Sequence, residues 1–198
     1  MQIEKIISGK LDNNTYILKN DDNECLIIDA AANLEDVKQV VADNTVVGVL
    51  LTHGHYDHFV NLDSIVNNYQ TKCYISELEL EKLYSPKLNY SIVFNTFYST
   101  KLDEEESFVK LQDNDNFTLG GFDIKAMLTP GHTNGSMCFL INDNHLFTGD
   151  TLFESSHGRT DLLTSDEEQM KDSLKFLKQN FSGFKFYAGH GEDGVVRN

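Results

Sequence analysis

The run Thr52-His53-Gly54-His55-Tyr56-Asp57-His58 puts four side chains able to bind a metal within six positions. Imidazole nitrogens and a carboxylate suit zinc, iron and manganese. Side chains alternate along an extended segment, so His53 and His55 share one side. Asp57 and His58 turn away from them and are free to face a second ion. A single loop histidine is usually just solvated. Three with an aspartate at this density, with Gly54 permitting a tight backbone, read as a ligand set.

Three further residues of the same type recur just after predicted strands. They are His132 in Thr129-Pro130-Gly131-His132-Thr133, Asp150 in Phe147-Thr148-Gly149-Asp150, and His190 in Ala188-Gly189-His190-Gly191. Each is flanked by glycine, which lets backbone approach closely. Seven ligands exceed the three protein ligands plus water of a catalytic zinc. They suit two ions about 3.5–4 Å apart that clamp a reacting group, and Asp150 is the natural bridge because a carboxylate offers one oxygen to each.

The elements that must position these residues follow from periodicity and turn signals. Val46 to Leu51 reads as a buried strand that ends at the first cluster. Asn14 to Leu18 and Cys25 to Asp29 read as strands either side of the turn Asn20-Asp21-Asp22-Asn23. Leu34 to Val41, Phe59 to Tyr69 and Glu77 to Leu83 read as helices, with Lys72 to Ile75 a strand between the last two. Strands are expected at Phe108 to Leu111, Phe117 to Leu119, Phe122 to Leu128, Met137 to Ile141, His145 to Phe147 and Phe184 to Tyr187. Gly120-Gly121 and Asn142-Asp143-Asn144 mark turns. Ser165 with Glu168 predicts a capping box, opening a helix that buries Met170, Leu174, Leu177 and Phe181 and closes at Gly183. Residues 85–106, with Pro86 and the aromatics Tyr90, Phe94, Phe97 and Tyr98, read either as a surface excursion near the site or as ordinary core filling.

Composition narrows the class. The chain has 198 residues, 40% of them hydrophobic, with 13 Phe, 8 Tyr and only two Pro. That fits one globular domain over 1–198. A formal net charge of −15 opposes nucleic-acid binding, which needs a basic footprint, and opposes anionic membranes. The acidic patch Asp103-Glu104-Glu105-Glu106 reads as a solvated face. No stretch approaches the ~20 apolar residues of a membrane span, and Met1 to Lys5 lacks signal-peptide order. Cys25, Cys73 and Cys138 are odd in number, far apart and set in apolar contexts, so buried free thiols and a cytoplasmic location are expected.

Taken together, these motifs resemble the metallo-β-lactamase superfamily and, within it, the glyoxalase II-type hydrolases (hydroxyacylglutathione hydrolases). The resemblance also rests on Asn13-Asn14-Thr15-Tyr16, Ile27-Ile28-Asp29, Lys87-Leu88-Asn89-Tyr90-Ser91, Thr151-Leu152-Phe153 and Gly158-Arg159-Thr160-Asp161, and covers nearly the whole chain. It implies an α/β fold, a four-layer αββα sandwich with the ions at one edge. It implies that His53, His55 and His132 hold one ion, that Asp57, His58 and His190 hold the other, and that Asp150 bridges. The ions would be two divalent metals, zinc foremost, with iron or manganese as substitutes. Asp57 and Asp150 would be the catalytic carboxylates. The implied reaction is hydrolysis of a small-molecule thioester, such as a hydroxyacylglutathione, by water activated on the metals.

The runner-up activity is that of the persulfide dioxygenases, which share the Gly-Arg-Thr-Asp element and use one iron at positions of the His53, His132 and Asp150 type. A β-lactamase, a flavodiiron oxidoreductase, a tRNA-processing nuclease and a non-enzymatic metal module fit less well. Glyoxalase II usually carries a C-terminal helical domain that helps to hold glutathione, whereas this sequence ends eight residues after His190. The thiol and the oligomeric state are therefore open. Around the site, Asp29 is either a brace for the loop carrying His53 and His55 or a cap for the Leu34 helix. Arg159 either pairs with a carboxylate or faces substrate. His145 is structural or exposed, and His157 is either uninvolved or lines the pocket.

Overall fold

Strands with apolar residues on both faces need cover on both sides, and this sequence meets that need with two sheets packed together and helices outside each. A computed structural model describes residues 1–197. In chain order the first half comprises β1 (Gln2–Ser8), β2 (Asn13–Lys19), β3 (Glu24–Ile28), α1 (Leu34–Val41), β4 (Thr45–Leu50), α2 (Tyr56–Phe59), α3 (Leu62–Tyr69), β5 (Cys73–Ser76), α4 (Leu80–Tyr84), a 3-10 turn (Ser91–Phe94), α5 (Glu104–Ser107) and β6 (Phe108–Leu111). The second comprises β7 (Asn116–Leu119), β8 (Phe122–Leu128), β9 (Met137–Ile141), β10 (His145–Gly149), α6 (Glu167–Phe181), β11 (Lys185–Ala188) and β12 (Gly194–Val195).

The first sheet runs β1-β2-β3-β4-β5-β6 and the second β12-β11-β10-β9-β8-β7. β3, β4, β5 and β6 are mutually parallel. In the second sheet only β10 and β11 are parallel neighbours. The twofold alternation of a strand sorts β3 between two cores. Leu26 and Ile28 face Phe122, Phe139 and Phe147 between the sheets. Cys25 and Ile27 face Val37, Leu62 and Ile65 from the helices. A third core seals the outer face of the second sheet, where Cys138, Leu146 and Phe186 meet Leu177 and Phe181 of α6. The result is the expected αββα sandwich.

Several details differ from the sequence reading. The Phe59 to Tyr69 segment is two helices, broken at Val60-Asn61, where the Asn61 N–H is drawn to the Ala30 carbonyl and its Nδ2 to the Ala31 carbonyl at 2.8 Å. The cap of α6 is Asp166, whose Oδ1 accepts from Gln169 N, not Ser165. Ser165 Oγ instead donates to the His132 carbonyl at 2.6 Å. The buried stripe of α6 takes Ser173 in place of Leu174. Strand β1, not anticipated, edges the first sheet. The three cysteines are free and buried as expected, and burial pushes the Cys25 and Cys138 thiols up to about 11. No described helix is long and apolar enough to cross a membrane.

Candidate metal centre

β4 delivers Thr52 to His58 at one edge of the first sheet, while β8, β10 and β11 deliver His132, Asp150 and His190 at the facing edge of the second. All seven ligand-type side chains meet there. Ligand atoms of His53, His55 and His132 lie within 4.8 Å of one another, and so do those of His53, His58 and Asp150, and of Asp57, His58 and His190. Asp150 touches both sides, with Oδ2 3.4 Å from His132 Nε2 and 3.5 Å from His190 Nε2, and Oδ1 3.4 Å from His58 Nε2.

The hydrogen bonds outside the cluster fix which nitrogen each ring presents. His132 Nδ1 donates to the Arg159 carbonyl at 2.9 Å and His190 Nδ1 to the Leu11 carbonyl at 2.8 Å. His58 Nδ1 donates to Asp29 Oδ2 at 2.8 Å. Thr52 Oγ1 donates to Asp29, so it accepts from His53 Nδ1 at 3.1 Å. Each of these four rings is left with Nε2 turned inward, as outer partners orient metal-binding imidazoles. His55 turns Nδ1 inward instead, 2.8 Å from His132 Nε2. Two facing lone pairs repel unless a proton or cation joins them.

The electrostatics are those of a cation site. Burial, reinforced by the neighbouring imidazoles, holds His53 and His55 well below the usual histidine range, which favours the neutral form that a metal requires. Burial opposes charge on His58 too, but the carboxylates of Asp150, Asp29 and Asp57 overcome it and raise that ring well above the usual value. Asp150 is likewise buried, yet His58 and the other imidazoles hold its carboxyl well below the usual carboxylate range. His53 Nε2 and Asp150 Oδ1 are buried without any hydrogen bond. Such groups cost about 1–3 kcal/mol each when unsatisfied, and a divalent cation satisfies both at once. The nitrogen and oxygen donors fit zinc, iron or manganese.

Comparison with known proteins agrees with this geometry. A family model described as the metallo-beta-lactamase superfamily matches residues 8–190. The chain belongs to that superfamily. A probable metallo-hydrolase of Streptococcus pyogenes is 33% identical over 99% of this chain and 86% of its own. A probable polyketide biosynthesis zinc-dependent hydrolase of Bacillus velezensis is 34% identical over 72% of this chain and 55% of its own. The solved structure of the B3 metallo-beta-lactamase BLEG-1 superposes with a TM-score of 0.90 at 28% identity, over 98% of this chain and 94% of that one.

Within this superfamily fold the outlying residues also find their places. Asp29 is a brace, not a cap. It accepts from Thr52 N and Oγ1 and from His58, while Asn33 caps α1. The Arg159 guanidinium pairs with Asp161 at 2.7 Å on the surface, and only its carbonyl reaches the site. His145 bonds the Tyr187 hydroxyl. His157 is exposed and lines a separate cavity with Leu152 and Leu174. Asn13, whose Nδ2 donates to Asp57 Oδ2 at 2.9 Å, has no signal in the sequence beyond its place in the family motif. A cavity of about 500 Å³ opens beside Asp57, walled by Lys10, Leu11, Tyr56, Val93 and Phe94. The segment 85–106 is thus partly the excursion expected, since Val93 and Phe94 border this cavity and the Tyr90 ring lies 5.3 Å from that of His55. It is partly core filling, since Tyr98 packs on Phe59.

Proposed function

We propose that this chain, acting as one domain over 1–198, is a binuclear metal-dependent hydrolase of the glyoxalase II type that cleaves a small-molecule thioester. The observation that carries this reading is Asp150, which sits between the two halves of a seven-residue cluster, with Oδ2 near both His132 and His190 and Oδ1 near His58. His53, His55 and His132 would hold one ion, Asp57, His58 and His190 the other, and Asp150 both. Two divalent ions, zinc foremost, would supply an activated water at neutral pH and a counter-charge for the carbonyl oxygen.

The chain's own groups do the rest. The cavity beside Asp57 has room for one arm of an organic thioester, held between Val93 and Phe94 on one side and Leu11 on the other. Asp57 lines this cavity and is steadied by Asn13, so its carboxylate is placed to take a proton from the attacking water. The three thiols are buried in the cores, so none is placed to attack a substrate, and water is the nucleophile of this reading. The zinc-dependent relative supports the choice of metal.

Elemental analysis of the purified protein, joined to a thioester screen that includes S-lactoylglutathione, tests this. We expect close to two metal atoms per chain and turnover of at least one thioester. Asp150→Ala should lose most of the metal and at least 100-fold in kcat/KM. Wild-type turnover by that variant would sink the bridging role. The Gly158-Arg159-Thr160-Asp161 element supports a second reading, a persulfide dioxygenase with one iron at His53, His132 and Asp150. One iron per chain with oxygen uptake on glutathione persulfide, and no thioester turnover, would establish it instead.

A further inference from the structure

A fully buried Lys–Glu pair lies outside the ligand set. Glu79 is 0% exposed and Lys82 2% exposed, with Lys82 Nζ 2.7 Å from Glu79 Oε1. Burying two charges is expensive, and such a pair is weak grounds for stability alone. What the pair touches is more telling. Glu79 Oε2 accepts from Gly54 N at 2.7 Å, the peptide between His53 and His55. Glu79 Oε1 accepts from Thr133 Oγ1 at 2.8 Å, next to His132. Lys82 Nζ completes its donors on Asn134 Oδ1 at 2.7 Å and the Leu78 carbonyl at 2.9 Å.

Gly54 follows β4 of the first sheet, and Thr133 and Asn134 follow β8 of the second. Two side chains from the segment after β5 therefore stitch together the two loops that carry His53, His55 and His132. The fit is close, since a Cβ on Gly54 would lie 2.9 Å from Lys82 Cβ and 3.1 Å from Glu79 Oε2. Neither Glu79 nor Lys82 bonds an imidazole.

We propose that Glu79 is a positioning residue for the His53/His55/His132 trio, holding its two loops in register across the seam between the sheets so that one metal ion is bound tightly. This rests on the ligand assignment above. The mechanism is pre-organisation: a carboxylate that accepts from both loops fixes their relative placement before the ion arrives, as outer-sphere partners do for ligands they touch directly.

Two double variants separate positioning from charge burial. Glu79→Gln with Lys82→Met removes both charges, yet the Gln carbonyl still accepts from Gly54 N and its amide can donate to Thr133 Oγ1. Glu79→Leu with Lys82→Met removes both charges and both anchors. Metal-free protein is titrated with zinc against a competing chelator, and the melting temperature of the metal-free forms is measured in parallel. The Gln variant should bind both zinc ions within about threefold of wild type. The Leu variant should lose tenfold or more in the affinity of one ion, while its metal-free form stays folded with a melting temperature lowered by the unpaired Gly54 N–H. Equal zinc affinity in the two would overturn the proposal. If the Leu variant does not fold, Thr133→Val, which deletes the contacts of Oγ1 to Glu79 Oε1 and to Ser136 Oγ, decides by the same titration against Ser136→Ala, which spares the contact to Glu79: a loss of threefold or more in one ion beyond that of Ser136→Ala supports positioning, and equal affinity in the two overturns it. Absence of zinc from the wild-type chain would bring down the ligand assignment itself, an outcome distinct from two zinc ions bound equally well by wild type and the Leu variant.

Discussion

Asp29 follows β3 in the left-handed region, with φ of 57°, a conformation that aspartate tolerates better than most residues. The turn tips its carboxylate off the sheet and onto Thr52 and His58. A proton count follows. His58 lies well above the usual histidine pKa in the metal-free chain, so it is an imidazolium at pH 7. Its Nε2 must lose that proton to bind a cation, whereas His53 and His55, held neutral by burial, have none to lose. His190 is raised as well, through Asp150 acting against its burial. Zinc binding at pH 7 should therefore release between about one and two protons per chain, read from calorimetry in two buffers of different ionisation enthalpy. Asp29→Asn removes one of the carboxylates that keeps His58 charged, so it should lower that release and weaken zinc binding about 10–100-fold. Unchanged proton release in the variant would dismiss Asp29 as the brace. The convergence of the seven candidate ligands was legible in the sequence because their types are rare in apolar surroundings and their glycine neighbours mark strand ends. Glu79 and Lys82 were not. In Glu77-Leu78-Glu79-Leu80-Glu81-Lys82 their i,i+3 spacing is that of any solvated helix pair, and only the three-dimensional approach of Gly54 and Thr133 sets them apart.

Five of the seven candidate ligands lie outside the named strands and helices, and Asp57 and His58 ride on the short α2, so the elements act by fixing where those segments start. Strand positions were readable because alternation and turn residues coincide; β6, β8 and β9 fall where periodicity puts them. What periodicity could not show was competition for backbone groups from distant chain. At Asn61 a distant loop takes the backbone N–H and the side-chain amide, and at Ser165 the hydroxyl is turned towards the His132 carbonyl while Asp166 accepts from the helix. The His132 loop is the tightest case. Gly131 sits at φ of 141°, and a Cβ there would run into the backbone of Met170 at the start of α6. The same helix start is bound to the loop by Asp166 N on the Gly131 carbonyl at 2.9 Å. Gly131→Ala combines backbone strain with a clash that no flexible side chain can relieve. It should destabilise the metal-free fold by about 2–4 kcal/mol and displace His132 enough to lose one ion. Urea unfolding together with metal content checks both. A variant of wild-type stability would mean that α6 can retreat from the loop at no cost, contrary to the packing of Met170, which is 1% exposed.

Across the whole molecule the two sheets are joined by one apolar core and, at one edge, by the ligand cluster. Four of its members follow β4 in the first sheet, and His132, Asp150 and His190 follow strands of the second. Any cation shared between them closes the seam, and it does so where Asp29, Asp57 and Asp150 bring together three carboxylates of a chain whose net charge is already −15. Metal binding is thus coupled to the stability of the whole fold. A ligand that binds only the folded form stabilises it by about 2.7 kcal/mol at one hundred times its Kd. For a chain of this size that corresponds to a rise of about 5–11 °C in Tm. The free-energy gain belongs to the molecule, but the change in protection should be local. Hydrogen exchange of the metal-free protein should speed up in the loops at 52–58, 129–136, 150–159 and 189–191, while the core strands β3 and β9 keep their protection. Zinc that raises Tm without slowing exchange in those four loops would have bound elsewhere, and the acidic surface around Asp103 to Glu106 would be the place to look. Slowed exchange in the loops of both sheets at once is the outcome required if the ions hold the two halves of the sandwich together.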